Sequence, residues 1–270
     1  MPTQLEKAQT MKALHEGSET FLIPGPWDVA SARVFEALGF QALATTSGGL
    51  AYALGKLDGE VTLDEKLAHC RALSEATQIP ITADLENGYS HHPDGVAETI
   101  RRIAETGVVG GSIEDWSGEG IYDFNHAVER IEAAVEAART LDIPFAVIGR
   151  CENLLRGKND MDDTIRRLKA YEAAGADVLF APGLRTAEEV KAVVNEIKTP
   201  LSVVAMSPDL SVAKLAEAGA RRVSIGGAMA MAAYAALIEG ALEMKEKGTF
   251  DWMKKLSLEN AIEPLLTSHR

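Results

Sequence analysis

The residues that could do chemistry stand at the ends of short apolar runs. Pro80-Ile-Thr-Ala runs into Asp84, Glu86 follows two residues on, and Gly88 breaks the pattern. Gly110-Gly-Ser-Ile113 ends in Glu114 and Asp115, Phe145-Ala-Val-Ile-Gly149 ends in Arg150, and Ala42-Leu-Ala-Thr45 runs into Ser47-Gly48-Gly49. An apolar run of this length, bounded by Pro or Gly, reads as a buried strand that delivers its last side chains to a loop. If the strands are parallel neighbours, carboxylates, an arginine and backbone amides meet on one rim. Crowded carboxylates repel one another, so a divalent cation is their natural neutraliser. Hard oxygen donors with no Cys among them suit Mg²⁺ or Mn²⁺ over zinc.

Small residues at 47–49 let backbone N–H groups approach a carboxylate or phosphate, although a flexible turn fits the same residues equally well. Arg150 suits a bidentate grip on a carboxylate. Asp58, in Leu57-Asp-Gly-Glu60, read alone is a loop acid. Cys151 has no obvious His partner and reads as a small buried residue. His91 and His92 read as a solvated loop pair.

The totals set bounds. The chain has 270 residues, 46% hydrophobic and 25% charged, with a net charge of -13. That charge argues against a nucleic-acid partner, which needs a basic surface, and against an anionic membrane. Two cysteines, Cys70 and Cys151, form no disulfide framework and no zinc spacing, which points to a reduced, cytoplasmic setting. No signal peptide or membrane span is evident.

The elements that must position the rim come from two alternating beats. Helices close on Gly just before a strand at Gly39, Gly107, Gly175 and Gly219. Strands open on proline at Pro80, Pro144 and Pro200. Together they predict eight strands starting near residues 21, 41, 80, 108, 144, 176, 200 and 221, with helices between them. Strict strand–helix alternation implies a parallel sheet, and this many units in one chain favour an α/β fold closed as a (β/α)8 TIM barrel. No linker divides residues 1–270, so a single domain is expected. Residues 1–17 form an N-terminal helix, and residues 228–270 form extra apolar C-terminal helices suited to contacts in a homo-oligomer.

The ordered set Ser47-Gly48-Gly49, Asp58-Gly, Ala83-Asp84-x-Glu86-x-Gly88-Tyr89, Ile113-Glu114-Asp115 and Arg150 resembles the isocitrate lyase/phosphoenolpyruvate mutase superfamily. Asp28-Val-Ala-Ser-Ala-Arg33 and Ala170-Tyr171-Glu-Ala-Ala-Gly175-Ala-Asp177 look like further stretches of it. The resemblance implies a helix-swapped barrel, commonly a tetramer. It implies Mg²⁺ held partly through water by Asp84, Glu86 and Glu114, with Asp58 nearby. Ser47, Gly48, Gly49 and Arg150 would bind a small 2-oxo or 2-hydroxy carboxylate, and Arg150, Asp58 and Glu114 would act in catalysis. The shared chemistry makes or breaks a C–C or P–C bond through a metal-stabilised enolate.

Some positions depart from the pattern. Trp116-Ser-Gly-Glu-Gly-Ile-Tyr122-Asp123 holds neither the Cys nor the Lys that the lyases carry in this loop, which leaves the general acid or base unassigned. Val204 and Met231 are apolar where those lyases grip distal carboxylates. A Mg²⁺-dependent lyase for a small oxo-acid is therefore the leading expectation. Methylisocitrate lyase and phosphoenolpyruvate mutase are alternatives, and an oxo-acid-binding barrel with little catalysis is the reading of another class.

Overall fold

The computed structural model of the protein describes residues 2–256 and 262–267. Its eight strands are β1 (Phe21–Leu22), β2 (Leu43–Ala44), β3 (Ile81–Asp84), β4 (Gly110–Glu114), β5 (Ala146–Arg150), β6 (Val178–Phe180), β7 (Leu201–Val204) and β8 (Arg222–Ser224). All pair in parallel in the order β1-β8-β7-β6-β5-β4-β3-β2. The Ala44 N–H donates to the Pro24 carbonyl at 3.1 Å, which brings β2 back to β1 and curls the sheet into a (β/α)8 barrel.

Local chemistry sets the boundaries. Gly107 and Gly175 close their helices in the left-handed region, at φ +91° and +92°, where a Cβ is strained. Pro80 and Pro200 directly precede β3 and β7 and need no ladder N–H there. Between strands run α2 (Val29–Ala37), α3 (Ser47–Ala53), α4 (Leu63–Ala76), α5 (Pro93–Ala104), α6 (Phe124–Arg139), α7 (Met161–Ala173), α8 (Ala187–Val194) and α9 (Val212–Glu217). The main core lies between sheet and helices and includes Leu43, Ile81, Ile113, Val147, Leu179 and Val203.

Helix α1 (Gln4–Glu16) lies at the opposite end of the barrel from the rim. The Gln4 amide donates to the carbonyls of Ala104 and Val108 at 2.7 and 2.9 Å, and Lys7 Nζ donates to that of Thr77 at 2.6 Å. Ala8 and Met11 pack there on Phe21, Ile23 and Val109.

After β8, α10 (Ala228–Lys247) packs mainly on a 3₁₀ turn at Asp251–Lys255 and leaves Leu237, Ile238, Leu242 and Met244 exposed. A last helix, α11 (Ile262–Thr267), packs on α2. Of the extra helices expected over residues 228–270, the part after α10 is two short elements, and the residues joining them lie outside the described ones. Among the described residues, no helix is long and apolar enough to cross a membrane.

Candidate active site

Alternation along each strand decides which side chains enter the barrel. On β3, Ile81 and Ala83 face the helices, while Thr82 and Asp84 point inward to the cavity. On β8, Val223 packs outward, while Arg222 and Ser224 line the cavity. That cavity measures about 510 Å³ and opens at the C-terminal rim. Ser47, Gly48, Asp58, Asp84 and Arg150 all line it.

Asp84 is the centre of the arrangement. Its Oδ2 accepts the Ser47 N–H at 3.3 Å, its Oδ1 accepts the Glu86 N–H at 3.2 Å, and Arg150 Nη1 stands 3.5 Å from Oδ1. Its own N–H donates to Thr45 Oγ1 at 2.9 Å. Burial opposes ionisation, but Arg150, Lys66 and the two amides outweigh it and hold the carboxyl below its ordinary value.

Ser47-Gly48-Gly49 is not a flexible turn but the first turn of α3, capped by the Thr46 hydroxyl. Its three residues differ in role. The Ser47 N–H is fixed on Asp84, and Gly48 faces Asp58, whose carboxyl carbon would lie 3.6 Å from a Cβ there. Gly49 lies outside the cavity. Its N–H donates to Thr46 Oγ1, and a Cβ at this position would come within 2.9 Å of the Trp27 Cβ.

Glu86 and Glu114 lie beside Asp84 and Arg150, with Arg150 Nε 3.3 Å from Glu114, but neither lines the cavity. The Glu114 N–H donates to the Glu86 carbonyl at 2.9 Å. Burial, then Asp84, pushes the Glu86 carboxyl up to about 7. Burial raises Glu114 well above the carboxylate range, with Glu152 and Asp84 adding to it and Arg150 opposing. Arg150 sits among three carboxylates, with Nε 2.6 Å from Glu152 and 3.3 Å from Glu114, and Nη1 facing Asp84. Burial works against its charge, but these neighbours keep it protonated.

Several groups here were not expected from the sequence. Glu152 is fully buried and holds both Arg150 and Arg156. The Lys66 ammonium on α4 is buried with no hydrogen-bond partner among the described residues and favours ionisation of Asp84 and Glu86. Arg130 on α6 is buried, stacks on Tyr122 at 4.3 Å, and donates to the Asn87 and Ser90 carbonyls. It pins the loop in which Glu86 and Tyr89 take left-handed φ of 51° and 56°, unusual for residues with a Cβ. Asp115 points away from the cavity and is buried under Tyr171 Oη at 2.7 Å and Arg167 Nη1 at 3.2 Å.

Tyr89 donates to Glu86 at 3.3 Å, and Glu119 is exposed in the 116–121 hairpin. The Cys151 thiol is buried and raised well above its ordinary value, first by desolvation, so it stays an unreactive packing group. His91 Nδ1 lies 2.6 Å from the Tyr122 hydroxyl.

The profile of the family described as phosphoenolpyruvate phosphomutase matches residues 11–245. A solved structure from Burkholderia cenocepacia, assigned only provisionally as a lyase/mutase, is 46% identical, superposes with a TM-score of 0.93, and covers 98% of this chain and 96% of its own. The oxaloacetate decarboxylase of Paraburkholderia xenovorans is 34% identical over 65% of this chain and 60% of its own length. The 2,3-dimethylmalate lyase of Eubacterium barkeri is 30% identical over 71% and 68%.

Proposed function

Because the chain belongs to the phosphoenolpyruvate phosphomutase family, we propose that it is a Mg²⁺-dependent lyase that makes or breaks a C–C bond beside a small 2-oxo or 2-hydroxy carboxylate. The observation that carries this reading is the meeting of Asp84, the Ser47 amide and Arg150 on one cavity wall. The relatives named as a decarboxylase and a lyase act on acids of this class.

The residues present fit a hard divalent cation. Glu86 and Glu114 are both driven toward their protonated forms by burial and by neighbouring carboxylates, which is the electrostatic state a bound cation relieves. Asp84, Glu86 and Glu114 are the residues that would hold Mg²⁺, or Mn²⁺, with water completing its shell. Among the described residues, no three acids, histidines or cysteines cluster closely enough to chelate an ion by themselves. A cation held there would supply Lewis-acid polarisation of the 2-oxo group.

The protein's own groups orient the rest. Ser47, Gly48 and Asp58 form the wall against which the oxo-acid lies, Gly49 supports that wall by packing, and Arg150 assists in holding the carboxylate. Glu152 and Glu114 fix the Arg150 guanidinium so that little is reorganised on binding. The exposed apolar side of α10 suits a subunit interface, and we read the assembly as a helix-swapped homotetramer. The free thiols Cys70 and Cys151 suit a reducing cytoplasm.

Turnover of oxaloacetate, 2,3-dimethylmalate, methylisocitrate and phosphonopyruvate, followed by NMR in excess Mg²⁺, tests the reading. Cleavage of an oxo- or hydroxy-acid that stops on chelation is expected. Clear oxo-acid binding with no turnover of any of the four would favour a binding protein instead.

A further inference from the structure

Among the described residues, two arginines face the cavity, and their surroundings differ. Arg150 is ringed by Asp84, Glu114 and Glu152. Arg222 is 6% exposed and contacts no carboxylate among the described residues; its Nη2 donates to Thr82 Oγ1 at 3.0 Å, across the barrel from β8 to β3. Its Nε and Nη1 are buried with no hydrogen-bond partner among the described residues. A guanidinium cannot shed its proton as readily as a lysine, so donors left this way carry a desolvation penalty that an anion would remove. Burial draws its pKa down to about 10, with Asp84 opposing, and it remains a cation at neutral pH. The walls around it are hydroxylic: Ser112, Ser202 and Ser224 line the same cavity, and Ser202 pairs with Arg222 in register.

We propose that Arg222 is the floor of the substrate site and binds a second carboxylate, so that the substrate is a small dicarboxylic 2-oxo or 2-hydroxy acid. The reach supports this. Thr82 and Asp84 share the inward face of β3, about 7 Å apart along the strand, and Arg222 is bonded at the lower of the two. A four-carbon chain with a carboxylate at each end spans such a gap. One end lies against Asp84, Ser47 and Arg150; the other meets the unpartnered N–H groups of Arg222. The inference rests on the oxo-acid reading of this cavity and goes beyond it by assigning the second charged group and the residue that selects it.

The test is calorimetric titration of the full chain in excess Mg²⁺ with 2-hydroxybutyrate and malate, which share a carbon count and differ in the terminal carboxylate. Malate is expected to bind about tenfold or more tightly. In Arg222→Met the preference should vanish while 2-hydroxybutyrate stays within about twofold, and Arg222→Lys should recover part of it. Equal affinity of the parent for both acids overturns the proposal without any variant, so a misfolded Arg222→Met does not shield it. Equal weakening of both acids in a folded Arg222→Met would make Arg222 only a counter-charge to Asp84. If added phosphate raises 2-hydroxybutyrate to the affinity of malate, the floor takes a separate inorganic anion and the dicarboxylate assignment falls. If the parent binds neither acid, the oxo-acid reading of the cavity fails first.

Discussion

The Asp84 carboxylate accepts the Ser47 N–H at 3.3 Å, which ties the acid at the end of β3 to the first turn of the helix after β2. Neither residue can shift without the other, so the anionic side of the cavity and its small-residue wall are one unit. Asp84→Asn keeps the shape of this contact and removes the charge. Mg²⁺-dependent binding of oxalate, an enolate mimic, is expected to fall about 100-fold, with the melting temperature changed by only a few degrees. Retained affinity with the same Mg²⁺ dependence would remove Asp84 from the cation site.

Arg130 makes a prediction of a different kind, because it does not line the cavity. Its guanidinium holds the Asn87 and Ser90 carbonyls and so fixes the strained turn that presents Glu86. Arg130→Met should destabilise the fold by about 2–4 kcal/mol, since it leaves buried carbonyls unpaired. Mg²⁺ affinity should fall about tenfold although no proposed ligand is touched. Unchanged Mg²⁺ affinity in a folded variant would show that the turn holds itself.

The fold was legible wherever backbone chemistry is local. Gly107, Gly175, Pro80 and Pro200 mark element ends whatever packs on them, and inward alternation on β3 and β5 follows from the period of a strand. Helix α3 was not legible, because Ser47-Gly-Gly has poor helix propensity and folds only under the Thr46 cap and the packing of Gly49 on Trp27. Arg130, Lys66 and Glu152 left no mark in the sequence. A single charged residue on a helix or loop reads as solvated until tertiary packing buries it. Arg222 did leave one: it alternates with Val223 and precedes Ser224, so strand period alone turns it inward with the serine.

His15 gives a pH dependence. It is buried in the last turn of α1, edge-on to Phe21 at 5.4 Å, and burial, then Arg222 and Arg221, draws its pKa from 6.5 to about 3. The unfolded chain therefore binds a proton between these values that the folded chain refuses. Its contribution to stability is complete above pH 6.5 and is lost as pH falls toward 3. Denaturant midpoints should fall from pH 7 to pH 4, and His15→Leu should flatten part of that slope. A parent curve flat over this range would mean that the imidazole accepts a proton in the folded state.

The apolar surface of α10 predicts association. Leu237, Ile238, Leu242 and Met244 are exposed on consecutive turns, with Phe250 and Met253 close by in sequence. A patch of this kind is rare on a monomer. Light scattering at micromolar concentration should give a homo-oligomer, and Ile238→Glu with Leu242→Glu should lower its mass. A monomeric parent would exclude the interface.

The last prediction concerns substrate size. Val204 and Met231 stand at the upper cavity wall, where a third carboxylate would have to lie, and neither offers a donor. A carboxylate buried without a partner costs several kcal/mol. Arg185 cannot rescue it, because it lies in a separate groove between α8 and α9 with Glu188 and Lys214. Two-charge acids should therefore bind better than methylisocitrate, which carries three carboxylates. Competition in excess Mg²⁺ against oxalate is expected to place malate well ahead of methylisocitrate. Met231→Arg should narrow that gap by admitting the third charge. If methylisocitrate already binds the parent more tightly than oxalate, a donor must reach the cavity from a neighbouring subunit, and the larger tricarboxylate becomes the better substrate.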